Sequence, residues 1–164
     1  MKRIVLATGL AIRSDGQQTR VLLVASRYAN HPQPLWNLPG GRQRPGELLE
    51  QTAQRECLEE TGLRVRVGTL AYVSESYDRN RLHAINVTFN ITLLDDSPLT
   101  LPDDRDGGDH VVAAEWVPLS EIAARLTVAV VREPLMACLE DGLERRYAGF
   151  AEAGITIEWP KDSA

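Results

Sequence analysis

Cysteine is scarce in this chain. Cys57 and Cys138 are the only two in 164 residues, too few for a disulfide framework. Both lie in amphipathic stretches and read as buried thiols of a reducing, cytoplasmic compartment. No apolar run is long enough to span a membrane. Residues 4–12 (Ile-Val-Leu-Ala-Thr-Gly-Leu-Ala-Ile) follow Lys2 and Arg3 as a secretory leader would. Arg13 and Asp15 end that run early, and no small-residue cleavage site follows, so a first strand turning at Ser14-Asp15-Gly16 explains it better. A basic excess is also missing: 18 Lys and Arg face 23 Asp and Glu, for a net charge of −5, which argues against a binder of nucleic-acid polymers. There is no internal repeat and no low-complexity tract. With 43% apolar and 25% charged residues, the composition is neither disordered nor fibrous, and the length suits one domain over residues 1–164.

What is present is a strand and helix alternation. Val21-Leu22-Leu23-Val24-Ala25 is a continuous apolar run, the pattern of a buried strand. Residues 28–46 are rich in Pro, Gly and Asn and read as a long loop of the kind that carries function. Residues 47–61 read as a helix, with Gly62 as a left-handed C-cap and Leu63 as the apolar residue beyond it. Residues 64–73 form another strand. Ile85, Val87, Phe89, Ile91 and Leu93 then alternate with Asn86, Thr88, Asn90 and Thr92, so one strand face is apolar and the other carries short polar groups. That polar face is either a solvated exterior or the floor of a polar cleft. Residues 94–108 form an acidic loop, 111–117 a strand and 119–126 a short helix. A second long helix opens at Glu133-Pro134, with Leu135, Cys138, Leu139, Leu143 and Tyr147 on its buried side. The helix and tail occupy about 133–164, and Ile155 to Trp159 form an edge strand or a subunit contact. Strands interleaved with two long helices indicate a mixed sheet covered on both sides.

The stretch Arg55-Glu56-Cys57-Leu58-Glu59-Glu60-Thr61-Gly62 puts three glutamates within five residues. On a helical wheel with Leu48 at zero, Leu49, Ala53 and Cys57 fall at about 100°, 140° and 180°, the stripe that faces the core. Glu56 and Glu60 fall at about 80° and 120°, inside or beside that stripe, and Glu59 at about 20°. Glu50, Gln54 and Thr61 take the far side. Glu56 and Glu60 repel as an i,i+4 pair, and all three acids sit at the end of the helix that disfavours negative charge. Arg55 offsets part of this through Glu59, but one arginine does not balance three carboxylates. A hard divalent cation would: clustered carboxylates without nearby His or Cys suit Mg²⁺ or Mn²⁺ rather than zinc.

The wider spacing sharpens this. Gly41, Glu47, Arg55-Glu56, Glu59-Glu60 and Gly62 match, at fixed intervals, the box of residues 41–63 that marks the Nudix hydrolase superfamily (MutT-like), which this chain resembles. Agreement at all seven positions by chance is on the order of 10⁻⁸ per start position. Leu35-Trp36-Asn37-Leu38-Pro39-Gly40-Gly41 resembles the family's lead-in, and Glu115-Trp116-Val117-Pro118-Leu119 its later strand-to-helix passage. The resemblance implies an α/β/α sandwich with a mixed sheet between helices. It also implies hydrolysis of a nucleoside diphosphate linked to another group, giving a nucleoside monophosphate and a phosphorylated remainder. Glu56, Glu59, Glu60 and the Gly40 carbonyl match the family's metal ligands. Glu47 and Arg55 match the pair that hold the helix acids, and Gly41 and Gly62 the turns at either end. Glu59 or Glu56 would take the proton of the attacking water.

Two positions depart from the family pattern. Cys57 stands where an aliphatic residue is usual, and is small and apolar enough to pack there. Asp109-His110 stands where many members carry Asp-Glu, so the second acid or base is His110, Asp109 or a box glutamate. On substrate the resemblance says little. Members that cleave ADP-ribose tend to carry a proline past the box, and none occurs between Leu63 and Ser97. Members acting on dinucleoside polyphosphates often have a tyrosine there, and Tyr77 is near that position. Arg27, Arg42, Arg44, Arg79 and Arg81 are candidate phosphate partners, and Tyr28 and Trp36 candidate base-stacking residues. His31 and His83 are assigned nothing. The rival to an enzyme is a nucleotide-sensing domain, which would be expected to lose box acids. The expected partner is a small nucleotide, with no membrane or nucleic-acid polymer, and the tail could support a homodimer.

Overall fold

The computed structural model describes residues 2–102, 111–140, 142 and 145–159. Two β-sheets carry helices on both outer sides. The elements in chain order are β1 (Arg3–Leu10), β2 (Ile12–Ser14), β3 (Thr19–Ser26), β4 (Leu35–Asn37), β5 (Gly40–Arg42), α1 (Leu49–Thr61), β6 (Val65–Tyr77), β7 (His83–Leu93), β8 (Val111–Pro118), α2 (Leu119–Arg125), α3 (Ala129–Glu140) and β9 (Tyr147–Phe150).

The first sheet has five strands in the order β5-β1-β7-β6-β9 and is mixed. β1 runs parallel to β7 and antiparallel to β5, while β6 is antiparallel to β7 and parallel to β9. The second sheet is a separate antiparallel one, in which β3 pairs with β2, β4 and β8. The mixed sheet expected from sequence is the first of these two, and the second lies beyond that expectation. The run at residues 4–12 spans β1 and the first residue of β2, and the Ser14-Asp15-Gly16 turn is present, with Gly16 at φ 87°.

β3 shows how one strand feeds two cores. Val21 and Leu23 join Leu10, Leu38, Tyr72, Val117, Ile122, Leu126 and Leu135 in the core beneath α2 and α3. Leu22 points the opposite way, into a second core with Ala11, Cys57, Leu63, Val65 and Ile91 against α1. This is the period-two alternation of a strand covered on both faces. Burying each leucine contributes roughly 2 kcal/mol.

Three readings need correction. Residues 35–37 and 40–42 within the expected long loop are short strands. The last helix starts at Ala129, not at Glu133, and holds Pro134 in its interior. It ends at Glu140, so Tyr147, expected on its buried side, lies in β9 and is 42% exposed; Leu143 falls outside the described residues. The edge strand is Tyr147–Phe150, not 155–159. The dual expectation for β7 resolves by position. Thr88 is fully buried, whereas Asn90 and Thr92 are exposed, so the polar face is interior at one end and solvated at the other.

Candidate active site

Helix α1 begins with Leu48 as N-cap, where the Gln51 side chain accepts from the Leu48 N–H at 2.8 Å. It ends at Gly62, whose φ of 75° is left-handed and whose N–H donates to the Leu58 carbonyl. Its inward face places Glu56 at 8% and Glu60 at 5% exposure, beside Ala53 and Cys57 at zero. The wheel placed Glu56 and Glu60 correctly. It misplaced Thr61, put on the far side but fully buried, where its hydroxyl donates back to the Cys57 carbonyl at 2.6 Å.

Arg55 organises the acids. Its Nε and Nη2 donate to the two oxygens of Glu47 at 2.6 and 3.0 Å, a bidentate pair across eight residues. Its Nη1 donates to Glu56 Oε1 at 2.8 Å and to Glu59 Oε2 at 3.2 Å, and Nη2 also reaches the Arg42 carbonyl at 3.1 Å. Glu47 further accepts from the Arg44 N–H and the Thr52 hydroxyl. The Arg55 guanidinium, aided by these bonds, holds the Glu47 carboxyl at a pKa of about 2, and the same partners raise that of Arg55.

β5 lies against these acids. The Gly40 N–H donates to Glu60 Oε1 at 2.7 Å. A Cβ on Gly41 would stand 2.6 Å from the Glu56 carboxyl carbon, so glycine is needed there for close approach. Gly41 was expected at a turn; it sits within a strand, paired with Ala7 of β1. Glu59, with a side chain 36% exposed, lies between Arg55 and the Arg44 guanidinium, 3.9 Å away.

A cavity of about 180 Å³ opens beside Gly40 and Gly41. Its floor includes Thr8 of β1 and Asn86 of β7, and its walls include Tyr28, Trp36 and Tyr72. Thr8 and Thr88 hydroxyls meet at 2.7 Å, and the Asn86 amide donates to both. Burial pushes the Tyr28 hydroxyl pKa up, and the Glu60 charge adds to that.

The other sequence candidates are scattered. Arg27 is exposed, as are Arg79 and Arg81 on the β6–β7 turn, where Arg81 has φ 62°. Tyr77 turns away from the cavity and stacks on His83 at 4.4 Å. His83, assigned nothing from sequence, is buried: Arg3 Nε donates to its Nδ1, so its Nε2 donates to Glu75 at 2.6 Å. Arg42 lies with its guanidinium 5.3 Å from the Trp159 ring centroid. Asp109 and His110 fall outside the described residues. Trp159 and Asn86 were not singled out from sequence as site residues. Their signals were the alternation of apolar residues in the tail and the polar alternation of β7.

The donor set at the helix end consists of oxygens, with two buried carboxylates on one face, and this suits a hard divalent ion. Among the described residues, no three His, Cys, Asp or Glu side chains converge as a ready-made cage. No helix among them is long and apolar enough to cross a membrane.

The NUDIX domain family matches residues 3–138. The chain belongs to the NUDIX hydrolase family. It is 31% identical over 121 residues to an ADP-ribose pyrophosphatase of Methanocaldococcus jannaschii, covering 73% of this chain and 68% of that protein. It is 69% identical over 29 residues to a putative 8-oxo-dGTP diphosphatase of Bacillus subtilis, covering 18% of this chain and only 20% of that protein. A NUDIX hydrolase from Nitrosomonas europaea shares the fold, with a TM-score of 0.69 and 22% identity over 93% of this chain and 80% of its own. NUDIX hydrolases act on small nucleotide-linked substrates and generally use divalent metals.

Proposed function

We propose that this NUDIX chain hydrolyses the pyrophosphate bond of a nucleoside diphosphate linked to another group, giving a nucleoside monophosphate and a phosphorylated remainder. The observation that carries this reading is the burial of Glu56 and Glu60 on one helix face, directly beside the cavity edge formed by Gly40 and Gly41. Two carboxylates at i,i+4 in a half-dry setting repel and lose hydration, and a cation between them offsets both costs.

Glu56, Glu59, Glu60 and the Gly40 carbonyl would hold that ion, Mg²⁺ or Mn²⁺. When bound, such an ion neutralises phosphate charge and makes a coordinated water more acidic. The protein side of the chemistry is positional. Arg55 fixes the Glu56 and Glu59 carboxylates, and Glu47 fixes Arg55. Glu59 is the most open of the three acids, so we assign it the proton of the attacking water, with Glu56 as its buried neighbour.

The test is a panel of nucleoside diphosphate derivatives with Mg²⁺, beginning with 8-oxo-dGTP and ADP-ribose, the compounds named for the two relatives. Product release with Mg²⁺, none with EDTA, and a loss of orders of magnitude in Glu60→Gln with the melting temperature retained are expected. A fully active Glu60→Gln protein would overturn the assignment.

A further inference from the structure

The last turn of α1 is a poor place to hold two acids still. Glu59 and Glu60 lie just before Gly62, where helices fray and the final carbonyls lose their intrahelical donors. The helix dipole opposes both charges there, and Glu60 is repelled by Glu56 one turn earlier. Two ties come from the helix and its cap. The Gly62 N–H donates to the Leu58 carbonyl at 2.9 Å, and the Thr61 hydroxyl donates to the Cys57 carbonyl. A third comes from far along the chain. The Thr100 N–H donates to the Thr61 carbonyl, the last of the helix, at 2.9 Å.

Residues 94–102 bring that donor to the helix end. The Leu94 N–H starts the segment on the Arg64 carbonyl at 2.9 Å. Leu94 and Leu101 are 56% and 51% exposed, whereas Leu99 packs against the core of Leu22, Cys57, Leu63, Val65 and Ile91. Leu99 is thus the apolar anchor of the segment, and Thr100 follows it directly. Thr100 lies so close to Gly62 that a Cβ on that glycine would collide with the Thr100 hydroxyl oxygen. Gly62 therefore meets two needs, the left-handed φ of the cap and room for Thr100. Neither Leu99 nor Thr100 lines the cavity, so any effect they have on the chemistry passes through α1.

We infer that Leu99 and Thr100 are positioning residues for the reaction: anchored in the core and seated on Gly62, they clamp the end of α1 and keep Glu59 and Glu60 in place to share a divalent ion. The catalytic consequence rests on the hydrolase reading, whereas the clamp is a property of the protein alone. One backbone hydrogen bond is worth little to global stability, but it governs how often the last turn opens. Opening draws Glu60 away from the Gly40 N–H and Glu59 away from Arg55.

Leu99→Ala removes the anchor without touching α1, and Thr100→Pro deletes the donor. Leu101→Ala, an exposed change in the same segment, is the control. The first readout is amide hydrogen exchange at Gly62 and Leu63, with the amides of β7 as reference. The second is Mn²⁺ binding to the nucleotide-free protein, and the third is steady-state kinetics on the best substrate of the panel. In Leu99→Ala and Thr100→Pro, exchange at Gly62 and Leu63 should quicken about tenfold or more over the reference amides. The Kd for Mn²⁺ should rise and kcat fall by about tenfold, with KM for the nucleotide held within about twofold at saturating metal. Leu99→Ile should recover most of the loss, and Leu101→Ala should match wild type. Should Thr100→Pro fail to fold, Leu99→Ala decides. Unchanged exchange and Mn²⁺ affinity in the folded variants would overturn the inference. So would an equal quickening throughout β7, which would make Leu99 a core contact and nothing more. Wild-type protein that cleaves nothing on the panel, with exchange and Mn²⁺ binding shifted as expected in the variants, would sink the hydrolase reading and leave the clamp. Wild-type protein that cleaves, with variants matching it in all three readouts, would do the reverse.

Discussion

Arg55 grips Glu47 through two nearly parallel hydrogen bonds while a third nitrogen of the same guanidinium reaches Glu56 and Glu59. One planar cation thus joins the loop ahead of α1 to the acids near its end. Lysine, with a single point charge, cannot span that set. Arg55→Lys and Glu47→Gln are each expected to lower stability by about 2 kcal/mol, since the first replaces the planar fork by one point charge and the second removes the carboxylate that takes two of its hydrogen bonds. Urea unfolding measures the loss. Activity should fall further than stability alone explains, because Glu56 and Glu59 lose their anchor.

The Glu47 bond also sets an acid limit. The Glu47 carboxyl has a native pKa of about 2, against an ordinary 4.5. Its contribution is therefore fully present above about pH 4.5 and is lost as pH falls toward 2. Urea midpoints measured from pH 7 to 2 should drop through that window in the wild type. The difference between wild type and Glu47→Gln should shrink toward zero across the same range.

Gly41 leaves room for Glu56. An alanine Cβ there would meet the carboxyl carbon at 2.6 Å, forcing Glu56 to turn. Gly41→Ala should keep the fold, at a cost of about 1–3 kcal/mol, and lose at least about tenfold in kcat/KM. Thermal melts and steady-state assays on one preparation separate the two effects.

Cys57 should be inert. It is fully buried beside Thr61, and burial pushes its thiol pKa up to about 11. Labelling by a thiol reagent at pH 8 should spare Cys57 in the native protein and modify it in urea, as mass spectrometry of the digested protein would show.

The acid cluster was legible because helical spacing and sequence spacing carry the same information. Glu56 and Glu60 lie on the buried side of α1 for the reason that places Cys57 there, a repeat of 3.6 residues. The Gly62 cap was legible from a single residue type. Long-range partnerships were not. No local pattern announces that Thr8 pairs with Thr88 across 80 residues or that Asn30 holds Thr156, since these depend on how strands β1, β7 and the tail are brought together. The start of the last helix differs from expectation because proline suits a first helical turn, whereas this helix begins five residues before Pro134 and carries it inside.

The parallel docking of β9 on β6 joins Val73 to Tyr147 and Ser76 to Phe150. Such a pairing forms only after everything between has emerged and folded back. During synthesis, the acid-bearing helix is therefore made long before the tail that finishes the cavity beside it. A nascent chain paused near residue 140 would already possess its carboxylates, yet lack the side of the cavity that Phe150 and Trp159 supply.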